Sequence, residues 1–318
     1  MYKKILFILC VFVVGCDSTA TAYKPVSSGN IHTISVVIDN KLWKESPGEE
    51  LQKVFSSEFL GLPQQEPLFT LNQIPQSIFT DFTRESRNII VISKSKKDTA
   101  YIESNKFASP QKIVYIKAST NKSLLKQINK ISKKAISVFK ANEIKEKQKR
   151  IKNSILKTKA LDSIGISLTM SSGYKLFKKE NNNKFWFQRE TQKGSVNLLI
   201  YTLPLYKKNP NLESIIALRD SIGKAFVPGR NKDSYLITEK AYEPYFFKTK
   251  VSSLNTFETR GTWEVVNDYM AGPFLNYYIK DLKNNRTIVI EGFVFSPSVR
   301  KREYLVELEA IVRSLKVF

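Results

Sequence analysis

In the stretch HTISVVIDN, Ile34, Val36 and Ile38 alternate with other residues, the period-two pattern of a half-buried strand. A helix is expected after Pro47 and Gly48, where Leu51, Val54, Phe55 and Phe59 return to one side. The segment LGLPQQEPLFTLNQIPQ carries three prolines, each lacking a backbone donor, and reads as irregular. RNIIVIS (87–93) and QKIVYIKA (111–118) read as strands, with a weaker one over 99–103. Leu124, Ile128, Ile131, Ala135 and Val138 then recur at alternating steps of four and three, which predicts a long amphipathic helix; a second helix is expected at 145–158.

GISLTMSSGYKLF, FWFQRE and VNLLIYTLP continue as strands, and 212–226 reads as a helix. Strands are expected at 256–266, 274–280 and 286–295, the last pair joined by the turn residues KNN. A final helix buries Tyr304, Leu305, Leu308, Ile311, Val312 and Leu315. Strands that neighbour in sequence, with helices gathered between them, predict an α+β fold: two α/β sandwich-like domains with largely antiparallel sheets, joined by a long basic amphipathic helix. The expected boundaries are 31–160 and 161–318. Both halves end in strands followed by a helix, although their sequences do not align well enough to establish a duplication.

Upstream, Lys3 and Lys4 precede an apolar run from Ile5 to Gly15. The run is about half the roughly 20 residues that a spanning helix needs, and it has the parts of an export signal. Val13-Val14-Gly15-Cys16 resembles the bacterial lipobox, which implies a signal peptide over 1–16 and Cys16 as the lipidation site, carrying palmitate-type acyl chains. Two or more chains hold a protein stably at a membrane. Residues 17–30, with Ser, Thr, Ala, Pro and Gly, read as a flexible tether. They lack the acidic run of surface-exported lipoproteins, so the expected location is the cell envelope, on the periplasmic face of the outer membrane. Cys10 and Cys16 are the two cysteines, so a mature chain beginning at Cys16 has no thiol left for a disulfide and relies on its core.

The net charge of +22 raises the question of nucleic acid. Only 11 of the 51 basic residues are arginine, and lysine solvates faces where arginine forks onto phosphates. The excess is concentrated between Lys117 and Lys159, where 14 basic residues face Glu143 and Glu146. A docked helix with a solvated face explains this pattern, and contact with phospholipid headgroups or envelope polymer is the second reading; no nucleic-acid partner is expected.

One histidine, His32, and the absence of a free thiol in the mature chain leave serine-histidine, cysteine-histidine and zinc chemistry without support, and no cofactor or metal is expected. No nucleophile elbow, dinucleotide fingerprint or P-loop occurs. Carboxylates such as Asp39, Glu258, Glu264, Asp268 and Glu291 are the remaining catalytic candidates. The most suggestive stretch is ETRGTWEVVNDYMAGPF. Arg260, Trp263, Met270, Gly272, Pro273 and Phe274 there form a candidate recognition patch, in which arginine binds an anion and the ring stacks. The alternative is that Arg260 is paired internally and Trp263 fills the core. Similarly, the proline-rich segment either packs the domains together or docks a partner, and YEPYFF (242–247) lines either a pocket or a core.

The blocks VVIDNKLW, GLPQQEPLF, IPQSIF, RNIIVI, GISLTMSSGYKL, LIYTLP, RDSI, FVPG, ETRGTWEV, MAGPF and LEAIVRSLK, in this order, resemble an uncharacterised family of Bacteroidetes lipoproteins known as domain of unknown function 4837. That family commonly has glycine in place of Ala271 and has no established activity. More distantly, the second half looks like the PsbP or Mog-like αβα sandwich. The combined expectation is a lipid-anchored envelope protein, a non-catalytic binding or scaffold module with an envelope protein as possible partner; the alternative is a carboxylate-dependent hydrolase or carrier of a small envelope lipid or glycan.

Overall fold

The structure, a computed structural model, describes residues 23–318. Cys16 and the signal segment lie outside the described residues. A five-stranded sheet has the order β2-β1-β3-β5-β4, built from β1 (Thr33–Val37), β2 (Thr70–Ile74), β3 (Asn88–Lys94), β4 (Thr99–Ser104) and β5 (Lys112–Ala118). The β1–β2, β1–β3 and β3–β5 pairs are parallel, and β4–β5 is antiparallel. The interior position of β1, between β2 and β3, corrects the half-buried reading. Ile34 and Val36 pack in one core and Val37 in another cluster, as parallel strands covered on both faces require. A second correction is β2, which forms inside the proline-rich segment and runs up to Pro75.

Helices α1 (Asn40–Lys44), α2 (Ser46–Phe55) and α3 (Asn121–Ile151) supply side chains to the first core. The Thr120 hydroxyl caps α3 by accepting from the Ser123 N–H at 3.0 Å. Phe139, not Val138, closes the buried stripe, and the helix runs unbroken to Ile151 with no separate helix at 145–158. Its first part packs on the first core through Leu124, Ile128, Ile131, Ala135 and Phe139. Its last turns send Ile144 and Ile151 into the second core.

The second sheet is antiparallel throughout. Its order is β10-β12-β13-β14-β9-β8-β7, with β11 also on β12. A short ribbon, β6 (Ile166–Ser167) with β15 (Lys316–Val317), lies apart from it. The sheet strands are β7 (Lys175–Glu180), β8 (Lys184–Thr191), β9 (Gly194–Pro204), β10 (Leu236–Thr238), β11 (Tyr245–Val251), β12 (Leu254–Val265), β13 (Ala271–Asp281) and β14 (Arg286–Phe295). Helix α4 (Leu212–Phe226) covers one face and α5 (Arg302–Val312) the other. Alternation decides which residue meets which helix. Val196, Leu198, Ile288, Ile290, Leu275 and Tyr277 face α5, while Leu199, Tyr201, Val289, Phe293, Phe274 and Tyr278 face α4. The fold is α+β, with antiparallel pairing predominant over the two sheets together.

The proline-rich segment joins the halves. Phe59 and Leu62 enter the second core, and both Glu66 carboxylate oxygens accept from backbone N–H groups at the start of α5. Arg302 donates back to the Pro67 carbonyl at 2.6 Å. Gly61 has φ +88°, and a Cβ there would come within 2.8 Å of the Arg260 Cβ, so this approach needs glycine. The tether also departs from expectation. Ser27 and Ser28 bond the Ser109 and Glu85 carbonyls through their N–H groups, and Arg87 holds the Gly29 and Asn30 carbonyls, so 23–30 is docked along the first sheet. Among the described residues, no helix is long and apolar enough to cross a membrane.

Candidate functional site

The aromatic triplet of β8 divides across the sheet. Phe185 and Phe187 enter the α5-side core, and Trp186 points to the α4 side with Trp263 of β12 and Phe293 of β14. Trp186 lies 6.0 Å from Phe293 between ring centroids, and Trp263 meets Phe293 edge-on at 5.7 Å. The chain leaving α4 as Val227-Pro228-Gly229-Arg230 passes over these rings. The Gly229 N–H donates to the Ser234 carbonyl at 2.8 Å, which holds this passage in place. Between loop and sheet lies a cavity of about 180 Å³, walled by Trp186, Trp263, Met270, Phe293, Phe295 and Val227.

Few polar groups reach it. Asn197 accepts from the Trp186 indole at 3.0 Å and donates to the Ser195 hydroxyl at 3.0 Å. The Trp263 indole N–H is buried beside Gly272, where a Cβ would stand 3.1 Å from it, and it has no acceptor among the described residues. Such an orphaned donor costs about 1–3 kcal/mol. Arg230 and Asp268 pair bidentately beside the cavity at 3.0 and 2.7 Å, and the hydrogen bond from Arg230 holds the Asp268 carboxyl below its usual range.

The sheet separates the members of the predicted patch. Trp263, Met270 and Phe274 cluster on the α4 face. Gly272 pairs with Trp263 and Pro273 with Thr262 in the β12–β13 register, both buried. Arg260 stands on the opposite face and meets no exterior. It pairs with Glu258 and Glu309, and its guanidinium lies 5.4 Å from the Phe59 ring. Phe274 is covered by the Arg219 guanidinium at 3.8 Å. In YEPYFF, Tyr242, Tyr245 and Phe247 are exposed, the last two on β11, a strand with one partner. Sequence reasoning missed Trp186, Asn197, Val227 and Phe293. The available signal was the alternation of FWFQRE, which sends its tryptophan away from its two phenylalanines.

The candidate catalytic carboxylates are dispersed. Glu258 pairs with Arg260, Asp268 with Arg230, and Glu291 with Arg219 at 2.9 Å. That last pair is a close ionic contact without hydrogen-bond alignment. Burial pushes the Glu291 carboxyl up, and Arg219 and the Asn276 amide offset only part of the rise. Asp39 caps α1 by accepting from the Lys41 N–H at 2.8 Å.

Among solved structures, the chain is similar to the Ran-binding protein Mog1p of Saccharomyces cerevisiae, at 9% identity and TM-score 0.34, over 48% of this chain and 90% of that one. It is similar to the cyanobacterial PsbP of Synechocystis sp. PCC 6803 at 10% identity and TM-score 0.35, over 51% and 89%. It is also similar to LpqN of Mycobacterium tuberculosis, described as involved in cell envelope biogenesis, at 6% identity and TM-score 0.28, over 48% and 82%. Likeness this distant carries no function across. No curated protein matches the chain. Residues 27–152 match the family described as Domain of unknown function (DUF8532). Residues 152–314, half of the chain, match the family described as Domain of unknown function (DUF4837), and the chain belongs to that family.

Proposed function

We propose that this chain is a lipid-anchored binding module of the cell envelope, in which Cys16 supplies the anchor and the second sheet supplies the site. The carrying observation is the aromatic cavity walled by Trp186, Trp263 and Phe293. Its volume of about 180 Å³ suits one ring or a short branched chain rather than a whole lipid. The occupant is a ring-sized apolar group, presented by a small envelope molecule or by the side chain of a partner. The paired state of Glu258, Asp268 and Glu291 favours binding over hydrolysis. The lipobox-like Val13-Val14-Gly15-Cys16 supports the anchor and the periplasmic face of the outer membrane.

Tryptophan fluorescence tests the site, with 4-nitrophenol as a single-ring probe carrying acceptor oxygens. Saturable quenching is expected in the wild type and its loss in Val227→Trp, which fills the cavity. Equal quenching of both proteins would reject the reading. Membrane fractionation of Cys16→Ser tests the anchor separately, with release of the chain from the membrane expected.

A further inference from the structure

A groove of about 570 Å³ runs between α3 and α5, on the side of the second sheet away from the aromatic cavity. One wall is the α3 face carrying Lys133, Ser137, Lys140, Ile144 and Gln148. The other is Glu309 and Arg313 of the final helical segment. Beneath it, two arginines and two glutamates form a closed set. Glu309 pairs with Arg260 and Arg313, and Glu258 pairs with Arg260 and approaches Arg313 at 3.9 Å.

That set is balanced, and Lys140 is an additional cation. No described carboxylate lies within ion-pair distance of its ammonium, and both Glu309 oxygens are already engaged by Arg260 and Arg313. Burial pushes the Lys140 pKa down, with Glu309 only partly opposing, as expected for a cation withdrawn from water without a dedicated partner. Lys133 and Lys145 line the same groove and add charge of the same sign, while Ser137 adds a hydroxyl. Ile136, Ala141 and Ile144 give it an apolar wall.

We infer that this groove binds a phosphate group, with Lys140 as its central contact, Lys133 and Lys145 around it, and Ser137 donating a hydrogen bond. The volume exceeds that of one phosphate and the apolar wall adjoins the cations, so a phosphate carried on an apolar body fills the groove better than the free ion. A lipid headgroup and a free phosphate share this chemistry, and the experiment separates them.

The full chain in nonionic detergent is heated with inorganic phosphate, or with micelles doped with phosphatidylglycerol or phosphatidylcholine, at constant ionic strength. The expected result is a saturable rise of the unfolding midpoint with phosphatidylglycerol exceeding that with phosphatidylcholine, and abolished in Lys140→Met. A rise with inorganic phosphate as well assigns the contact to phosphate itself; a rise confined to phosphatidylglycerol assigns it to the headgroup. Exposed Lys133→Met should weaken the effect, and Lys122→Met, at the far end of α3, should preserve it. No rise with either phosphate source, or a rise that Lys140→Met retains in full, overturns the inference.

Discussion

On the α5 face of the second sheet, Glu309 pairs with Arg260 and Arg313 and feels the charge of Lys140; on the α4 face, Glu291 meets Arg219. Burial pushes both carboxyls up. At Glu309 the three cations outweigh it and hold the group well below the usual carboxylate range, whereas at Glu291 a single arginine does not. The same sheet therefore buries charge in two regimes set by the number of cations within reach. The α5 face, where the first half docks, carries the cationic surplus; the α4 face carries the aromatic cavity.

Glu309→Gln is the strongest way to break this comparison. It leaves Arg260, Arg313 and Lys140 facing Glu258, and the expected loss is about 3–5 kcal/mol in urea unfolding at pH 7. Glu291→Gln should cost less, about 2 kcal/mol for the lost partner of Arg219, because a neutral side chain suits that site better and Arg219 retains Thr238, Asp220 and the Phe274 ring. Acid separates them further. Glu309 contributes stability above the unfolded carboxylate value that is lost as pH falls towards its lower folded value. Glu291, with a raised folded value, contributes stability on the acid side that is lost as pH rises through that value. Glu309→Gln should flatten the acid limb of stability against pH and Glu291→Gln should steepen it. Equal losses and parallel limbs would remove the distinction.

His32 extends the test to the junction. It stacks on Phe69 at 5.0 Å and bonds the Leu68 carbonyl at 2.7 Å. Burial pushes its pKa down to about 4 from 6.5, with the Leu68 hydrogen bond and Glu309 opposing and Arg302 and Lys140 lowering it further. As pH falls from about 6.5 to about 4, the unfolded chain takes up a proton that the folded chain refuses, so about 3 kcal/mol of stability is lost. Urea midpoints across that window should show the loss in the wild type and a flatter profile in His32→Gln. Removing the neighbouring charge in Lys140→Met should raise the His32 titration measured by NMR.

The helices over the two faces are capped by different means. Asn211 caps α4 locally by accepting from the Ser214 N–H at 3.0 Å, whereas the cap of α5 is Glu66, from the first half. Glu66→Ala should cost about 1–2 kcal/mol and speed hydrogen exchange at the start of α5. Asn211→Ala should cost about 1 kcal/mol and affect only α4. If Glu66→Ala left α5 exchange unchanged, the halves would not be coupled through that cap.

Much of this arrangement was legible in the sequence where patterns were local. The α4 helix begins and ends at the expected residues, and β14 spans the predicted 286–295. Parallel pairing of β1 with β2 and β3 was not legible, because it joins segments far apart in sequence and β2 lies among prolines. The patch failed to form one surface for a physical reason visible in retrospect: Arg260 and Trp263 are three apart on a strand, which places them on opposite faces. Glu309 and Lys140 come together only through the packing of α3 against α5, and no short spacing announces that.

The finest comparison lies within the α4 face, between the two indoles of the cavity. Trp186 donates to Asn197, while Trp263 has no acceptor among the described residues. Replacing Trp186 by Phe orphans Asn197 and should cost about 1–2 kcal/mol beyond the lost ring area. Replacing Trp263 by Phe also loses area but relieves an unpaired donor, so the net change should stay within about 1 kcal/mol. Paired urea titrations of the two variants measure the difference. A Trp263→Phe loss as large as that of Trp186→Phe would mean that the Trp263 donor is already satisfied in solution.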